Sequence, residues 1–245
     1  TEALEYIQVL ANGATIDAND QTSCLRTLNM MVKQWSGNFD FAPGLKAFSR
    51  KTGFLFLQQS QGSYSLGLAG DNSSLTYIST PLTVAAAVSA TTLNLVSTGM
   101  TAADKIGVVL DSGSIHWTTI ATVPGGGASV TITLALTGAA ALGNRVFTYT
   151  NKLNRPLYLE NVELRDIDGN DSALETMTHD YYDRISVKST VATPSYYLYE
   201  NTLSNGTLLI DTYPDDATKV LRITFMLPAE NYDSATNDIA YPQEW

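Results

Sequence analysis

Ile106-Gly107-Val108-Val109-Leu110-Asp111-Ser112-Gly113-Ser114-Ile115-His116-Trp117 places apolar residues at every second position on both sides of a turn. Ile106, Val108 and Leu110 share one face of an extended strand, Asp111-Ser112-Gly113 reverses the chain, and Ile115 and Trp117 resume the alternation. The surroundings are of one kind: residues 82–150 are rich in Thr, Ala, Val and Gly and poor in charge. The same pattern recurs at Leu93 and Leu95, at Val130, Ile132, Leu134 and Leu136, and at Val146 and Thr148. Further turns fall at Pro124-Gly125-Gly126-Gly127 and Leu142-Gly143-Asn144. Roughly four to six short strands at ~8–12-residue spacing predict a small barrel or sandwich. Residues 82–150 therefore read as an all-β module inserted into a parent domain made of residues 1–81 and 151–245.

The parent domain opens with two helical patterns. Leu4, Ile7, Leu10 and Ala11 fall at helical spacing, with Gly13 as the stop. Asp17 can cap a second helix, Asp20 sits near its positive end, and Leu25, Leu28, Val32 and Trp35 share its face up to Ser36-Gly37. A short connection makes these an antiparallel pair, with Trp35 packed between them. Beyond them, Phe54-Leu55-Phe56-Leu57, a polar turn and Tyr64-Ser65-Leu66-Gly67 read as a hairpin. Ser172 to Ile185 reads as a short helix with Leu174, Met177 and Tyr181 on one side, and Asn205-Gly206 as the turn of a second hairpin. The predicted class is α+β: an N-terminal antiparallel helix pair, a mainly antiparallel β region and the inserted β module.

Composition narrows the function. Hydrophobic residues make up 44% and charged residues 16%, as in a packed globular protein. The net charge of −10 leaves no surplus of basic residues for gripping nucleic-acid phosphates. No run of ~18 apolar residues is available to span a bilayer. The start, Thr1-Glu2-Ala3-Leu4-Glu5, lacks the basic and apolar stretches of a signal peptide, so cytoplasmic synthesis is expected, in keeping with a single cysteine, Cys24.

Candidate chemical motifs reduce to structural ones. His179 and Asp180, being adjacent, do not share a helix face, and the His179-Asp180-x-x-Asp183 run lacks a second nearby His, so a cap or local hydrogen bond is favoured over a metal site. Asp166-Ile167-Asp168-Gly169-Asn170-Asp171 fails the calcium-loop pattern, which needs Gly at the position of Asp171 and Glu at that of Met177. The triple glycine lacks a following Lys-Ser/Thr, His116 sits in a strand beside Trp117, and Cys24 lies among apolar helix neighbours. No catalytic, cofactor-binding or metal residue is assigned, no cofactor is expected, and the chain reads as a non-enzyme. Thirteen tyrosines, with the pairs Tyr181-Tyr182 and Tyr196-Tyr197, suit strand packing first and protein contact surfaces second.

An ordered set of short motifs runs through nearly the whole chain: Leu28-Asn29-Met30-Met31 leading to Trp35-Ser36, Tyr64-Ser65-Leu66-Gly67, Ile106-Gly107-Val108, His116-Trp117-Thr118-Thr119, Arg155-Pro156-Leu157, Tyr182-Asp183-Arg184-Ile185, Asn205-Gly206-Thr207-Leu208, Leu221-Arg222-Ile223-Thr224 and Pro242-Gln243-Glu244-Trp245. The set resembles the head-to-tail adaptors of podophages, also called tail accessory factors or packaged-DNA stabilisation proteins. In similar proteins the last motif opens a long C-terminal helix that contributes to docking on the portal; here the sequence ends at Trp245. The resemblance implies a structural protein: a ring of about twelve copies below the portal, closed by head-to-tail contacts. It implies contacts with the portal protein, the tail nozzle and fibre or tailspike proteins. It also implies non-specific passage of double-stranded DNA, retention of the packaged genome, and a place in the virion tail at the portal vertex after assembly in the host cytoplasm, with no membrane partner. A carbohydrate-binding or host-adhesion tail protein is the alternative class, and a cell-wall hydrolase the weaker one.

Overall fold

The computed structural model describes residues 17–37 and 49–227. It divides into two compact units, Thr1–Arg50 with Pro228–Trp245, and Lys51–Leu227. In the first unit, helix α1 (Ala18–Gly37) opens as the sequence requires, with Asp17 just before it and the Gln21 amide donating to the Asp17 carbonyl at 3.0 Å. Val32 is buried and Leu25 half-buried, whereas Cys24, Leu28, Met30 and Met31 are exposed. Cys24 thus does not pack as expected. The expected first helix, the Trp35 side chain and the Tyr241–Trp245 motif lie outside the described residues.

The second unit is built of strands: β1 (Arg50–Phe56), β2 (Ser63–Leu66), β3 (Ser73–Ser74), β4 (Ile78–Pro81), β5 (Thr92–Asn94), β6 (Lys105–Val109), β7 (Ile115–Thr122), β8 (Ser129–Ile132) and β9 (Arg145–Tyr149). β10 (Tyr158–Arg165), β11 (Asp171–Ala173) and β12 (Glu175–Thr176) follow, then helix α2 (His179–Arg184). β13 (Val191–Ala192), β14 (Tyr196–Glu200), β15 (Gly206–Ile210), β16 (Tyr213–Pro214) and β17 (Val220–Met226) complete it. Seventeen strands against two helices correct the expected class: the described residues are mostly β, and no helix pair is seen among them. The helix expected over Ser172–Ile185 shrinks to the six residues of α2, which Thr178 caps through its side chain on the Tyr181 amide. Leu174 and Met177 are buried from extended backbone instead, their amides donating to the carbonyls of Val162 (2.9 Å) and Tyr197 (2.8 Å).

Two sheets form a sandwich. One runs in the order β11-β10-β17-β1-β3, the other β12-β14-β15-β2. Their shared core holds Leu55 and Leu57 from β1 and its end, Val162, Leu221, Ile223 and Phe225 from the first sheet, and Tyr64, Leu66, Tyr197, Leu208 and Ile210 from the second. β1 and β2 therefore belong to different sheets, and the expected hairpin is a crossover between them. Burial pushes the Tyr64 hydroxyl pKa upward, and the group is satisfied by donating to the Gln61 carbonyl at 2.9 Å.

The strands from Ile78 to Tyr149 form a third, antiparallel sheet, β4-β9-β6-β7-β8-β5. Its two edges meet: Leu82 bridges Leu95, and the Thr83 amide donates to the Asn94 carbonyl at 2.8 Å. Through these contacts the sheet curls round on itself about Leu82, Leu93, Leu95, Ile106, Val108, Ile120, Val130, Ile132 and Val146, as a small barrel.

An aromatic layer joins barrel to sandwich. Phe56 alternates with Leu55 and Leu57, so β1 is apolar on both faces. Its ring lies 4.9 Å from that of Phe147, 5.2 Å from Trp117, 5.5 Å from Tyr77 and 5.9 Å from Tyr149. Gly107 stands opposite Trp117 in the ladder, and a Cβ there would lie 2.6 Å from the indole. Phe56→Ala is expected to cost about 3–5 kcal/mol in urea-denaturation stability. A loss below about 1 kcal/mol would mean that barrel and sandwich do not rely on each other.

Candidate interaction surface

Two stretches of the barrel repeat one pattern. Leu82-Thr83-Val84-Ala85-Ala86-Ala87-Val88 and Leu136-Thr137-Gly138-Ala139-Ala140-Ala141-Leu142 agree at Leu, Thr and all three Ala. They run antiparallel, with Ala86 bridged to Ala140 through reciprocal bonds of 2.8 and 2.9 Å. Leu82 pairs with Asn144, and Leu136 with Ala90, through bonds of 2.9 and 3.0 Å. The match is thus symmetric about the Ala86–Ala140 bridge. Leu82, Ala86, Leu136 and Ala140 point into the barrel core. In the same register Val84 falls across from Leu142, and Val88, on the other side of the bridge, across from Gly138. Val84, Val88 and Leu142 are all more than half exposed, Leu142 at 67%.

Charge is sparse around this face. Residues 82–150 hold Asp104, Asp111, Lys105 and Arg145 and no other charged side chain, a net of zero within a chain of −10. Asp104 is buried, accepting from Thr101 and Thr150. Lys105 pairs with Asp71 at 3.2 Å, and the Arg145 charge acts on Tyr77, on the side of the aromatic layer. Asp111 alone stands at the paired arms, where it accepts from the Ala141 amide and the Asn144 side chain, both at 2.8 Å, and meets no cation among the described residues. Contiguous exposed apolar surface without charge is a mark of protein contact.

A second exposed apolar point lies at the end of the β14–β15 hairpin. Leu203 is 90% exposed, and Leu68, on the loop after β2, is 65% exposed. Asn205 joins the two loops: its Oδ1 accepts from the Ala69 amide at 3.2 Å, and Gly67 makes room for it, since a Cβ there would lie 2.0 Å away. Arg155 covers the flank, bonded to the Asn201 side chain and the Thr202 carbonyl, amides rather than a carboxylate. Lys152 donates to the carbonyls of Leu68 (3.3 Å) and Gly70 (2.7 Å) and pairs with Asp71 at 2.7 Å.

The residues weighed in the sequence fall apart as chemistry. His179 Nδ1 lies 3.5 Å from Glu200, and Asp180 pairs with Arg184 at 2.9 Å. The Asp166 carboxylate accepts from the amides of Asp168 (2.9 Å) and Asn170 (2.8 Å), closing its own turn. His116 ring nitrogens lie 3.1 Å from Thr137 Oγ1 and 3.4 Å from the Leu134 carbonyl, tying β7 to the second arm. Gly125–Gly127 sits between β7 and β8 with open space around it. Among the described residues no group of three His, Cys, Asp or Glu is placed to hold a metal, and no helix is long and apolar enough to cross a membrane. A shallow cleft of about 490 Å³ lies beside α2, lined by Tyr181, Arg184, Ile185, Ser186, Val187 and Thr190. Tyr181 and Tyr196 rings meet there at 5.4 Å. The paired arms were missed in the sequence; a search for self-similar heptads would have found them.

Compared with family models and with curated proteins, the chain matches none. Among solved structures, VP17, a capsid protein of bacteriophage P23-77, aligns over 72% of this chain and 79% of its own at 9% identity, with a TM-score of 0.15. At that score the likeness carries no argument about fold or function.

Asp71 clamps the loop beside Leu68 to the barrel. Burial alone would raise its pKa, but hydrogen bonds and charge from Lys152 and Lys105 outweigh this and hold the carboxyl below its ordinary range. A depressed folded-state pKa contributes stability above the unfolded value and loses it as pH falls through the folded one. Asp71→Asn should therefore destabilise at pH 7 by on the order of 1 kcal/mol or less, the charges being partly solvent-screened. As pH falls through the depressed folded-state pKa of Asp71, wild type and variant should converge in denaturant titrations.

Proposed function

We propose that this chain is a structural assembly protein of a phage tail, a head-to-tail adaptor that forms a ring below the portal. The observation that carries the reading is the segregation of charge: a closed barrel of zero net charge displays Val84, Val88 and Leu142 to solvent, while the whole −10 resides elsewhere in the chain. Association between identical acidic chains is opposed by like charge, so contact is favoured where charge is absent. The ordered motifs running from Leu28 to Trp245 support the same reading. In it the ring extends the DNA channel, helps retain the genome and receives the nozzle and fibre or tailspike proteins. It works by shape and electrostatics and transforms no substrate. The acidic balance suits a channel that DNA passes without sticking.

The test is electron microscopy of the chain mixed with a portal complex. Ring density beneath the portal, with a lumen lined by neutral or acidic residues and sparse basic ones, is the expected outcome. A lone subunit away from the portal, or a lumen continuously lined by Lys and Arg, would refute it. One feature favours the adhesion reading: the Tyr181–Tyr196 ring pair beside the α2 cleft. Glycan-array binding lost in Tyr181→Ala, with no affinity for portal rings, would establish that alternative.

A further inference from the structure

We infer that the paired-arm face of one copy docks on the Leu68–Leu203 face of a second copy of this chain, head to tail. The inference rests on the assembly reading for its setting but on separate observations for its content. Both faces centre on exposed aliphatic side chains, Val84, Val88 and Leu142 on one and Leu68 and Leu203 on the other. Both are drawn from uncharged stretches: nothing charged occurs from residue 112 to 144, from 81 to 103, from 61 to 70 or from 201 to 210.

Their rims carry opposite charge. Among the described residues, Asp111 borders the arms with amide partners only, and Arg155 borders the loops with amide partners only. The cluster of Lys105, Lys152 and Asp71 behind the loops adds a further positive charge, 2 − 1 = +1. In a chain with 24 acidic and 14 basic residues, a positively rimmed apolar patch is the exception. The surface that complements it, apolar with a single acidic rim, is present on the same chain. Each of Asp111 and Arg155 would then gain its counter-ion from the neighbouring copy. Because the faces differ, the contact is heterologous, and its repetition generates a ring or a filament rather than a two-fold dimer.

The test uses the full chain in three forms, studied by sedimentation velocity and mass photometry. Val84→Lys with Leu142→Lys disables the arms, and Leu203→Glu with Arg155→Glu disables the loops. All four positions are solvent-accessible, and circular dichroism and thermal melts check that each variant folds. Wild type is expected to form concentration-dependent oligomers, and each variant alone should associate at least about tenfold more weakly. An equimolar mixture of the two variants should give dimers and nothing larger, because each retains one working face. A wild type that stays monomeric at millimolar concentration, variants that assemble like wild type, or a mixture that stays monomeric would each overturn the inference. Portal binding, measured separately by co-sedimentation, discriminates the two claims. Folded variants that still bind the portal while assembling normally refute the interface and leave the adaptor reading standing. Loss of portal affinity in a wild type that self-associates does the reverse.

Discussion

The whole β unit depends on strand β1 being apolar on both faces. A strand at the edge of one core needs only alternate apolar residues, but Phe54-Leu55-Phe56-Leu57 is continuous, and each parity has its own destination. Leu55 and Leu57 enter the sandwich core, while Phe54 and Phe56 meet the aromatic layer against the barrel. Because Phe56 lies within 6 Å of four rings, barrel and sandwich share a packed interface instead of a flexible connection. β9 answers from the other side, with Val146 in the barrel core and Phe147 and Tyr149 in the layer.

Much of the barrel was legible because each strand buries one face. Ile106 and Val108, Val130 and Ile132, and Val146 appear in the core at the alternation the sequence displays. The sandwich was harder for a definite reason. A turn such as Gln58–Ser63 reverses the chain without saying whether the next strand pairs with the last or joins the facing sheet. Here it joins the facing sheet. The helical reading of Ser172–Ile185 failed because Leu174 and Met177 have helical spacing, yet each is held by a ladder bond to a strand distant in sequence. Local spacing lost to long-range pairing. Helical periodicity is confined largely to the first 36 residues of the sequence, whereas strands fill most of the described chain beyond them, and the strands set the class.

The candidate surface was only half legible. Poverty of charge across residues 82–150 is plain in the sequence, but composition does not say which uncharged residues face solvent. Val84 and Ala86 differ by two positions and would share a face in a regular strand. The arms instead bond every fourth residue, so Ala86 turns inward and Val84 outward. Leu68 and Leu203 lie far apart in sequence, and the loops that carry them are joined by Asn205 and by a glycine that tolerates it. No motif search finds such a pair.

Self-association of an acidic chain must satisfy two conditions at once. Net repulsion has to be kept away from the contact, and the contact must still be specific. A purely apolar patch meets the first condition and fails the second, since it would bind any exposed hydrocarbon. A rim charge supplies direction, and a rim charge without an internal partner supplies it at least desolvation cost, because no existing ion pair has to be broken. Asp111 and Arg155 are such charges, each anchored by neutral amides that fix its position without neutralising it. They stand on different layers of one compact unit, barrel and sandwich, so in the proposed contact the angle between the two faces would set how many copies close a ring.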